Sequence, residues 1–522
     1  MKVLLSVLPH FQNKSFLVAH LGNACISSYI QEKSPHVDIK TIDLRTEPDV
    51  NEIWGDSFMP QITYKKDFVS DIYDLPLIAS VITKYNIHKS MRHILEPVSD
   101  VIFHWALERD MNPQKVINVL KKTNNFAMRN LKYFKGYDIV GFSLYTTNLY
   151  MSVFMAILIK INYPNTKIVF GGPQVTQGET TREMLIKGNI ADYLVLGEGE
   201  EPMYQLIKAI ENDQVTDDII GIKNKSNFEK IDTFSQTADL EELPVPNYDG
   251  TDFSAFNPFV IPVYSNRGCP FRCHFCSEHS LFGKKFKRRS PMRVVSDMKE
   301  LSKRYKLNWF TVADSLINSS NDWLEEFTDI LSKTEEKFYW GGYFRAQLKE
   351  DLVKKMKNVG LVSAILGVES FAQNTLDNMN KKKESDEIID TIHYLVENDI
   401  YTFVNLFVGY PDEKEEDFLS TYNVSNSLYD EFLEKGKSEY FRITARNFQM
   451  RPFSNVYNSY EKFGLTAETW EKYYSQDLFM PELKNVFDKT LCSFKVNSVS
   501  LEETWRRIIK MSEVREKTLI KN

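Results

Sequence analysis

RGCPFRCHFC, the stretch at residues 267–276, carries three cysteines in the spacing C-x3-C-x2-C: Cys269, Cys273 and Cys276. An apolar run at 259–266 comes directly before it and predicts a strand, so the cysteines lie in the loop that follows. Three thiolates on one loop can bind three irons of a [4Fe–4S] cluster and leave the fourth iron open to a small molecule. Zinc is an alternative because His274 and His279 lie close by, although structural zinc usually takes four protein ligands in paired spacings.

The chain after the cysteine loop alternates between strand-like and helix-like patterns. Apolar or alternating runs predict further strands at 309–313, 338–342, 363–368, 401–408 and 439–444. Apolar residues at helical spacing predict helices between them, at 294–305, 322–332, 351–358, 385–398 and 415–433. Strands that alternate with helices form parallel sheets, and this number of units is consistent with a partial (β/α)6 barrel rather than the full eight.

The chain before the cysteine loop has the same alternation. Strands are predicted at 2–8, 36–44, 138–144, 168–170 and 192–196, with helical patterns between them. This pattern is typical of a doubly wound, Rossmann-like α/β domain. We therefore expect four regions along the chain: a first domain at 1–215, a linker at 216–257, the partial barrel at 258–450 and a mainly helical capping region at 451–522.

The composition excludes several classes of protein. The net charge is -7, so a basic face for a phosphate backbone is not expected and nucleic acid is not a predicted partner. A count of 5 cysteines in 522 residues does not make a secreted disulfide framework. No apolar run approaches the ~20 residues that a membrane span needs, and the N-terminus predicts a buried strand rather than a signal peptide. We expect a cytoplasmic protein without membrane association.

The cysteine loop, with an aromatic residue before its last cysteine, resembles the radical S-adenosylmethionine (radical SAM) superfamily. GVES at 367–370 resembles that family's G-x-E-S motif, and NLFVGYP at 405–411 resembles its I-x-G-x-P strand. Asp412 stands where the family has a glycine, and Asp314 stands alone where many relatives carry paired acids. The resemblance implies iron ligation by the three cysteines and SAM contacts at Phe275, Asp314, Arg345, Glu369, Ser370 and Gly409.

A second resemblance covers the first domain. Glycine-rich turns after its predicted strands, GGPQVT at 171–176 and GEGE at 197–200, resemble the cobalamin-binding domain of cobalamin-dependent radical SAM enzymes. Glycines at strand ends let a backbone approach a large flat cofactor, and doubly wound sheets bind ligands at their carboxyl edge. The resemblance implies cobalamin contacts at Ser143, Thr146, Gly171, Gly172, Pro173, Gln174, Gly197, Glu198, Gly199 and Glu200. The sequence has no Asp-x-His-x-x-Gly loop to supply a lower ligand, so a scaffold domain that binds nothing is the alternative.

A basic run, KKFKRR at 284–289, follows the cysteine loop. Charge runs are most often solvated turns. The alternative is contact with cobalamin side groups, the SAM carboxylate or an acidic peptide.

Together the resemblances imply a cobalamin-dependent radical SAM C-methyltransferase with a [4Fe–4S] cluster, SAM and methylcobalamin as cofactors. In the implied reaction, SAM cleavage gives a 5′-deoxyadenosyl radical that removes hydrogen from an unactivated carbon, and methylcobalamin supplies the methyl group. The implied substrate is a peptide or small-molecule natural product, and the implied partner is an electron donor such as flavodoxin or ferredoxin. The alternatives are a non-methylating relative that catalyses cyclisation, ring rearrangement or oxidation, and an iron–sulfur or zinc protein that binds a partner without radical chemistry.

Overall fold

The structure is a computed structural model that describes residues 1–9, 17–50, 75–91, 95, 99–108, 112–237, 239–283, 285–451, 453–469, 471, 479–496 and 501–519. The chain folds into two compact units. The first unit comprises Met1–Ala238, Leu243–Pro258 and Ala467–Phe494, and the second comprises Asp239–Glu242, Phe259–Thr466 and Lys495–Asn522. No helix within those described ranges is long and apolar enough to cross a membrane.

The first unit is built on a six-stranded sheet. Its strands are β1 (Lys2–Val7), β2 (Asp38–Asp43), β3 (Ile139–Ser143), β4 (Lys167–Gly171), β5 (Tyr193–Val195) and β6 (Ile222–Lys223). Its helices are α1 (Leu21–Lys33), α2 (Leu75–His88), α3 (Ser99–Glu108), α4 (Pro113–Asn130), α5 (Leu149–Asn162), α6 (Pro173–Gln177), α7 (Glu179–Lys187) and α8 (Glu200–Glu211). The strand order is β2-β1-β3-β4-β5-β6, parallel through β5 and antiparallel at β6. This order confirms the predicted doubly wound, Rossmann-like domain.

Apolar side chains on both faces of this sheet explain its burial. In β1, Val3 and Leu5 belong to one apolar cluster and Leu4 belongs to another. Successive strand residues point to opposite faces, so a strand covered on both sides is a nearly continuous apolar run. The strand order reverses between β1 and β3, and in sheets of this type ligands bind beside the carboxyl ends at such a reversal.

The second unit contains a parallel six-stranded sheet in the order β7-β10-β11-β12-β13-β14. The strands of this unit are β7 (Ile261–Val263), β8 (Asn266–Arg267), β9 (Lys287–Arg288), β10 (Trp309–Val312), β11 (Tyr339–Phe344), β12 (Leu361–Glu369), β13 (Tyr401–Val408) and β14 (Phe441–Asn447). The helices are α9 (Glu278–Leu281), α10 (Pro291–Tyr305), α11 (Asn321–Leu331), α12 (Glu350–Asn358), α13 (Gln373–Asn378), α14 (Ser385–Glu397) and α15 (Glu415–Glu434). Sequential parallel strands joined by helices confirm the α/β fold predicted for this region.

Helix α10 illustrates how local sequence sets these bounds. The Ser290 hydroxyl accepts a hydrogen bond from the backbone N–H of Arg293, and Pro291 occupies the first turn, where no N–H is needed. Lys306 ends the helix in the left-handed conformation, with φ of 56°. The helix therefore begins and ends where its capping residues stand.

The strands of the second sheet have one fully buried face. In β13, Thr402, Val404 and Leu406 are buried, whereas the residues between them keep some exposure. Trp340 of β11 contacts Phe327 of α11 with ring centroids 5.2 Å apart, so the buried set faces the helices. We call the opposite face the inner face; its side chains include Thr311, Tyr343, Ile365, Phe403, Phe407 and Arg446.

The chain after β14 forms α16 (Asn455–Asn458), β15 (Leu465–Thr469), α17 (Pro481–Asp488), β16 (Leu491–Val496) and α18 (Leu501–Leu519). β15 and β16 pair in a two-stranded sheet, which adds strand structure to the mainly helical region expected there. Helix α18 packs against β14 and α15 in the second unit.

Candidate functional site

The cysteine loop extends from the second sheet between two short strands. β8 pairs antiparallel with β9, so the described residues between them, 268–283 and 285–286, form a loop that is closed at its base. Gly268 begins the loop with φ of 85°, a conformation that other residues rarely adopt. The three cysteines are free thiols, of which Cys273 is buried and Cys269 and Cys276 are partly exposed.

A segment that sequence analysis did not single out holds the cysteine loop. The backbone N–H of His274 donates to the Met379 carbonyl at 2.9 Å, and the Asn380 side-chain amide donates to the Arg272 carbonyl at 2.7 Å. We call residues 378–381, at the end of α13, the clip. Because the clip and the cysteine loop are far apart in sequence, only the fold reveals this role.

The structure gives no support to the zinc alternative. Nδ1 of His274 lies 3.0 Å from the Asn378 carbonyl oxygen, and the His274 ring contacts Phe463, so this side chain is engaged in positioning. Ligands of a tetrahedral zinc lie about 4 Å apart. Among the described residues, neither the loop cysteines nor His274 and His279 belong to a group of three metal-ligand atoms within 4.8 Å of one another.

Burial keeps two of the loop thiols protonated in the metal-free chain. Burial raises the pKa of Cys276 to about 12, and charges on Glu278 and the other two cysteines add to the effect. Burial also raises the pKa of Cys269, which the Arg345 guanidinium opposes. Soft thiolates that crowd together need compensating positive charge, which iron supplies. The donor set therefore fits a [4Fe–4S] cluster with three protein ligands.

Asp314 follows β10 and supports the base of the loop. Its Oδ1 accepts hydrogen bonds from the backbone N–H groups of Ser265 and Asn266 at 2.8 and 3.1 Å. Its Oδ2 accepts the Asn266 side-chain amide at 2.7 Å and the Ser265 hydroxyl. Burial raises the pKa of Asp314 to about 6 against these hydrogen bonds. These contacts make Asp314 a positioning residue, and its predicted contact with SAM stays a prediction.

Arg345 follows β11 and faces the cysteine loop. Its guanidinium carbon lies 3.9 Å from the ring centroid of Phe271, and its backbone N–H donates to Oδ1 of Asn318 at 2.8 Å. The side chain is buried, and its Nε has no hydrogen-bond partner in the described part of the chain. A buried unpaired donor is costly, so this nitrogen is suited to an anionic group of a ligand.

Glu369 ends β12, and a buried cation already pairs with it. Nζ of Lys381, in the clip, lies 3.0 Å from Oε1 of Glu369. The same Nζ lies 5.7 Å from the ring centroid of Phe275, and that ring contacts Phe407 with centroids 5.3 Å apart. The structure therefore brings the predicted SAM residues Glu369 and Phe275 together around Lys381. Sequence analysis did not identify Lys381 as a site residue.

Ser370 and Gly409 also have partners within the fold. Oγ of Ser370 lies 2.9 Å from Oγ1 of Thr421. Gly409 adopts φ of 78° and donates its N–H to Oε2 of Glu413 at 2.8 Å. Asp412 has φ of 66°, which accounts for the glycine of the family pattern at this position. Aspartate tolerates this conformation better than most residues, so the departure is mild.

The C-terminal helix fixes the turn after β13. Nη1 of Arg507, in α18, donates to Oε2 of Glu413 at 2.8 Å, and both side chains are buried. Burial raises the pKa of Glu413 to about 7, which its hydrogen bond from Gly409 and the Arg507 charge oppose. A Cβ on Gly409 would lie 2.9 Å from Thr504 of the same helix, so the turn and α18 are in close contact.

The two arginines that end the basic run pack within the second unit, whereas Lys285 is exposed. Arg289 is buried, with Nη1 2.6 Å from Oδ2 of Asp297. The guanidinium carbon of Arg288 lies 4.9 Å from the ring centroid of Trp323. Arg289 is therefore not part of a solvated turn, and Lys284 lies outside the described residues.

In the first unit, the turn after β4 lies at the carboxyl edge of the sheet. Gly172 has φ of 93°, and a Cβ there would lie 2.9 Å from the backbone N and O of Leu144. Thr146 donates to Oε1 of Gln174 at 2.8 Å, and Nε2 of Gln174 donates to Thr181 at 2.9 Å. These contacts bring together the predicted residues Ser143, Thr146, Gly171, Gly172, Pro173 and Gln174.

The turn after β5 reaches the same edge. The backbone N–H of Gly197 donates to Oγ1 of Thr176 at 3.1 Å, which joins the two turns. A Cβ on Gly197 would lie 2.2 Å from the Ser235 carbonyl oxygen, so only glycine fits. The predicted residues of this turn are Gly197, Glu198, Gly199 and Glu200, and both of its glutamates are buried.

Comparison with known proteins agrees with this fold. Residues 263–424 match the Radical SAM superfamily, so this part of the chain is a radical SAM domain, as the sequence predicted. Its fold is similar to that of the radical SAM methyltransferase TsrM from Kitasatospora setae, solved with cobalamin and a [4Fe–4S] cluster bound. That similarity has a TM-score of 0.63 at 13% identity and covers 98% of this chain and 88% of TsrM. OxsB, a cobalamin-dependent radical SAM enzyme solved with aqua-cobalamin and SAM, gives a TM-score of 0.55 at 15% identity over 99% of this chain and 61% of OxsB.

Two curated relatives are similar in sequence. The uncharacterized methyltransferase PH0819 of Pyrococcus horikoshii is 25% identical over 332 residues, which cover 62% of this chain and 72% of the relative. The anaerobic magnesium-protoporphyrin IX monomethyl ester cyclase of Cereibacter sphaeroides is 28% identical over 302 residues, or 55% of this chain. The match spans only 49% of the cyclase's own length.

Proposed function

We propose that this chain is a cobalamin-dependent radical SAM C-methyltransferase that acts on an unactivated carbon of a peptide or small-molecule natural product. The cysteine loop carries the proposal, because it offers three free thiols beside Glu369 and Arg345 at the carboxyl end of a parallel sheet. Relatives named as methyltransferases and the fold shared with TsrM favour methyl transfer.

In this proposal Cys269, Cys273 and Cys276 hold a [4Fe–4S] cluster and leave one iron open for SAM. When bound, cluster and SAM supply the reductive cleavage that begins radical chemistry. Glu369 binds the amino group of SAM, and the unpaired Nε of Arg345 binds its carboxylate. Phe275, in contact with Phe407, packs against the adenine.

The first unit holds cobalamin in the same proposal, and methylcobalamin supplies the methyl group. The support is the carboxyl edge of a doubly wound sheet, where Gly172 leaves no room for a side chain and Gln174 is fixed by two hydrogen bonds. The proposal includes an electron donor such as flavodoxin or ferredoxin, and a cytoplasmic location, where free thiols remain reduced.

The test is an anaerobic assay of the full chain produced with cobalamin. Iron and sulfide are reconstituted, SAM and reductant are added, and 5′-deoxyadenosine, S-adenosylhomocysteine and bound cobalamin are quantified. The expected result is co-purified cobalamin with both nucleoside products. Cys273→Ala abolishes both products and lowers the iron content, whereas Cys25→Ala, a buried thiol of the first unit, changes neither. One zinc per chain without labile sulfide contradicts the proposal.

The second candidate is a non-methylating enzyme that uses the same cofactors. The similarity to magnesium-protoporphyrin cyclases favours it. The same assay separates the two, because 5′-deoxyadenosine without S-adenosylhomocysteine indicates a reaction other than methylation. Formation of 5′-deoxyadenosine without bound cobalamin indicates that the first unit is a scaffold.

A further inference from the structure

The inner face of the second sheet carries aromatic side chains that are open to solvent. Tyr343 of β11 and Phe403 of β13 are 42% and 38% exposed, although both strands lie inside the sheet rather than at its edge. The opposite face is packed, and there Phe441 of β14 contacts Phe432 of α15 with ring centroids 5.2 Å apart. Exposed aromatic surface of this kind is typical of ligand-binding sites.

The strand register places these aromatic residues on one surface with an arginine. Tyr343 pairs with Ile365, and Ile365 pairs with Phe403. Four residues further along β13, Phe407 pairs with Arg446 of β14. Paired residues of parallel strands point to the same face, and so do residues four apart on one strand.

Arg446 is the unpaired cation of this surface. It is exposed, and no described residue hydrogen-bonds or ion-pairs with it. By contrast, Nη1 of Arg442, four residues earlier on the same strand and face, donates to the carbonyls of Ser438 and Phe441 at 2.9 and 3.0 Å. An arginine on an aromatic surface with all its donors available is suited to a carboxylate or another planar anion.

Tyr343 and Arg446 lie on the same face of the sheet, on the strands β11 and β14. Partial burial of the phenol raises the pKa of Tyr343, and the Arg446 charge lowers it, which agrees with this placement. A sheet that curves around its inner face, as a partial barrel does, brings side chains of separate strands together on that face.

The cysteine loop lies at the same end of the inner face as Arg446. Phe407, the register partner of Arg446, contacts Phe275 of the cysteine loop with ring centroids 5.3 Å apart. A molecule bound between Tyr343 and Arg446 therefore lies on the side of the sheet that the loop covers.

We propose that the inner face binds the substrate, and that this substrate is an aromatic or apolar molecule with an anionic group. Tyr343 and Phe403 pack against its apolar body, and Arg446 binds the anionic group. This inference rests on the proposed function, which it deepens by naming a substrate class. It assigns Arg446 to substrate recognition and leaves SAM binding to other residues.

The test uses two fluorescent probes of one shape with different charge. 1-Anilinonaphthalene-8-sulfonate is aromatic and anionic, and N-phenyl-1-naphthylamine lacks its sulfonate. Binding of each is titrated anaerobically on the reconstituted full chain and on Arg446→Gln, Tyr343→Ala and Arg304→Gln. Arg304, in the last turn of α10, is the matched control because it removes the same charge on a surface helix.

The expected result is that Arg446→Gln weakens binding of the anionic probe about tenfold or more and leaves the uncharged probe unchanged. Tyr343→Ala weakens both probes, and Arg304→Gln weakens neither. Equal affinity of wild type and Arg446→Gln for the anionic probe, or no saturable binding of it to the wild type, overturns the inference. Failure of the proposed function is a separate outcome, because it is measured as the absence of 5′-deoxyadenosine.

Discussion

Nζ of Lys381 lies 3.0 Å from Oε1 of Glu369, and these side chains are only 8% and 9% exposed. The carboxylate of the GVES motif is thus neutralised by the clip, which also binds the cysteine loop through the Asn380 side chain and the Met379 carbonyl. A Cβ on Gly367 would lie 2.8 Å from the same Glu369 oxygen, so a larger residue at this position of the motif would clash with the paired carboxylate. One ion pair therefore connects the two parts of the candidate SAM site.

Lys381→Met is expected to destabilise the second unit, because it leaves Glu369 buried without a partner. Breaking a buried pair costs about 3–5 kcal/mol, whereas replacing both partners is far less costly. Urea unfolding of the full chain measures the loss, and the double variant Lys381→Met/Glu369→Gln is expected to recover most of it. SAM binding, measured by calorimetry on the reconstituted protein, is expected to weaken in the double variant despite its stability.

A matched control is Lys354→Met, which removes a lysine from an exposed pair with Glu350 in α12. Exposed pairs contribute about 0–1 kcal/mol, so little change is expected. If Lys381→Met and Lys354→Met are equally stable, the buried pair does not support the site.

Asp314→Asn is expected to change how stability depends on pH. Burial raises the pKa of Asp314 from 3.8 to about 6, so between these values the folded chain holds a proton that the unfolded chain releases. The contribution of Asp314 to stability is therefore greatest below about pH 4 and falls as pH rises through 6. The wild-type minus variant difference in unfolding free energy should fall by about 2 kcal/mol between pH 4 and 7.

Urea unfolding at several pH values measures this difference. Asp252→Asn is a control for which the pH dependence has the opposite sign. Hydrogen bonds from Ser254 lower the pKa of Asp252, so the contribution of Asp252 to stability is lost as pH falls. A wild-type minus Asp314→Asn difference that is constant from pH 4 to 7 would contradict the assigned burial of this carboxyl.

The sequence predicts the strands of both sheets because their signal is local. The apolar run at 138–144 and the alternation at 401–408 correspond to Ile139–Ser143 and Tyr401–Val408. The cysteine spacing likewise lies within one loop. Residues of the clip and Arg507 act on partners far away in sequence, and polar contacts of that kind leave no periodic pattern. The inner face required strand register, which sequence alone does not fix.

Gly172→Ala is expected to abolish cobalamin retention. A Cβ at this position would lie 2.9 Å from the Leu144 backbone, and φ of 93° is strained for alanine. The matched control is Gly136→Ala, because Gly136 has φ of 86° but nothing within 4 Å of an added Cβ. Cobalamin is measured from the absorbance spectrum after gel filtration, and circular dichroism establishes that both variants fold. Wild-type cobalamin content in folded Gly172→Ala would place the cofactor away from this turn.

Arg507→Met is expected to weaken SAM binding from outside the site. Arg507 pairs with Glu413, and Glu413 accepts a hydrogen bond from the N–H of Gly409, a residue predicted to contact SAM. Burial raises the pKa of Glu413 to about 7, although the Arg507 charge lowers it. Removing that charge raises the pKa further, so Glu413 becomes protonated at neutral pH. A neutral carboxyl holds the Gly409 N–H less strongly, and the turn loses its fixed position.

The expected result for Arg507→Met is a SAM dissociation constant raised about tenfold, with unchanged iron content, since the cysteine loop does not contact this turn through Arg507. Arg506→Gln is the matched control: Arg506 precedes Arg507 in α18 and pairs with Glu415 and Glu503 in exposed ion pairs. Such pairs contribute little, so SAM affinity should be retained. Equal SAM affinity in both variants would mean that the C-terminal helix stabilises the fold without positioning the cofactor. A loss of affinity confined to Arg507→Met identifies Glu413 as the link between α18 and SAM binding.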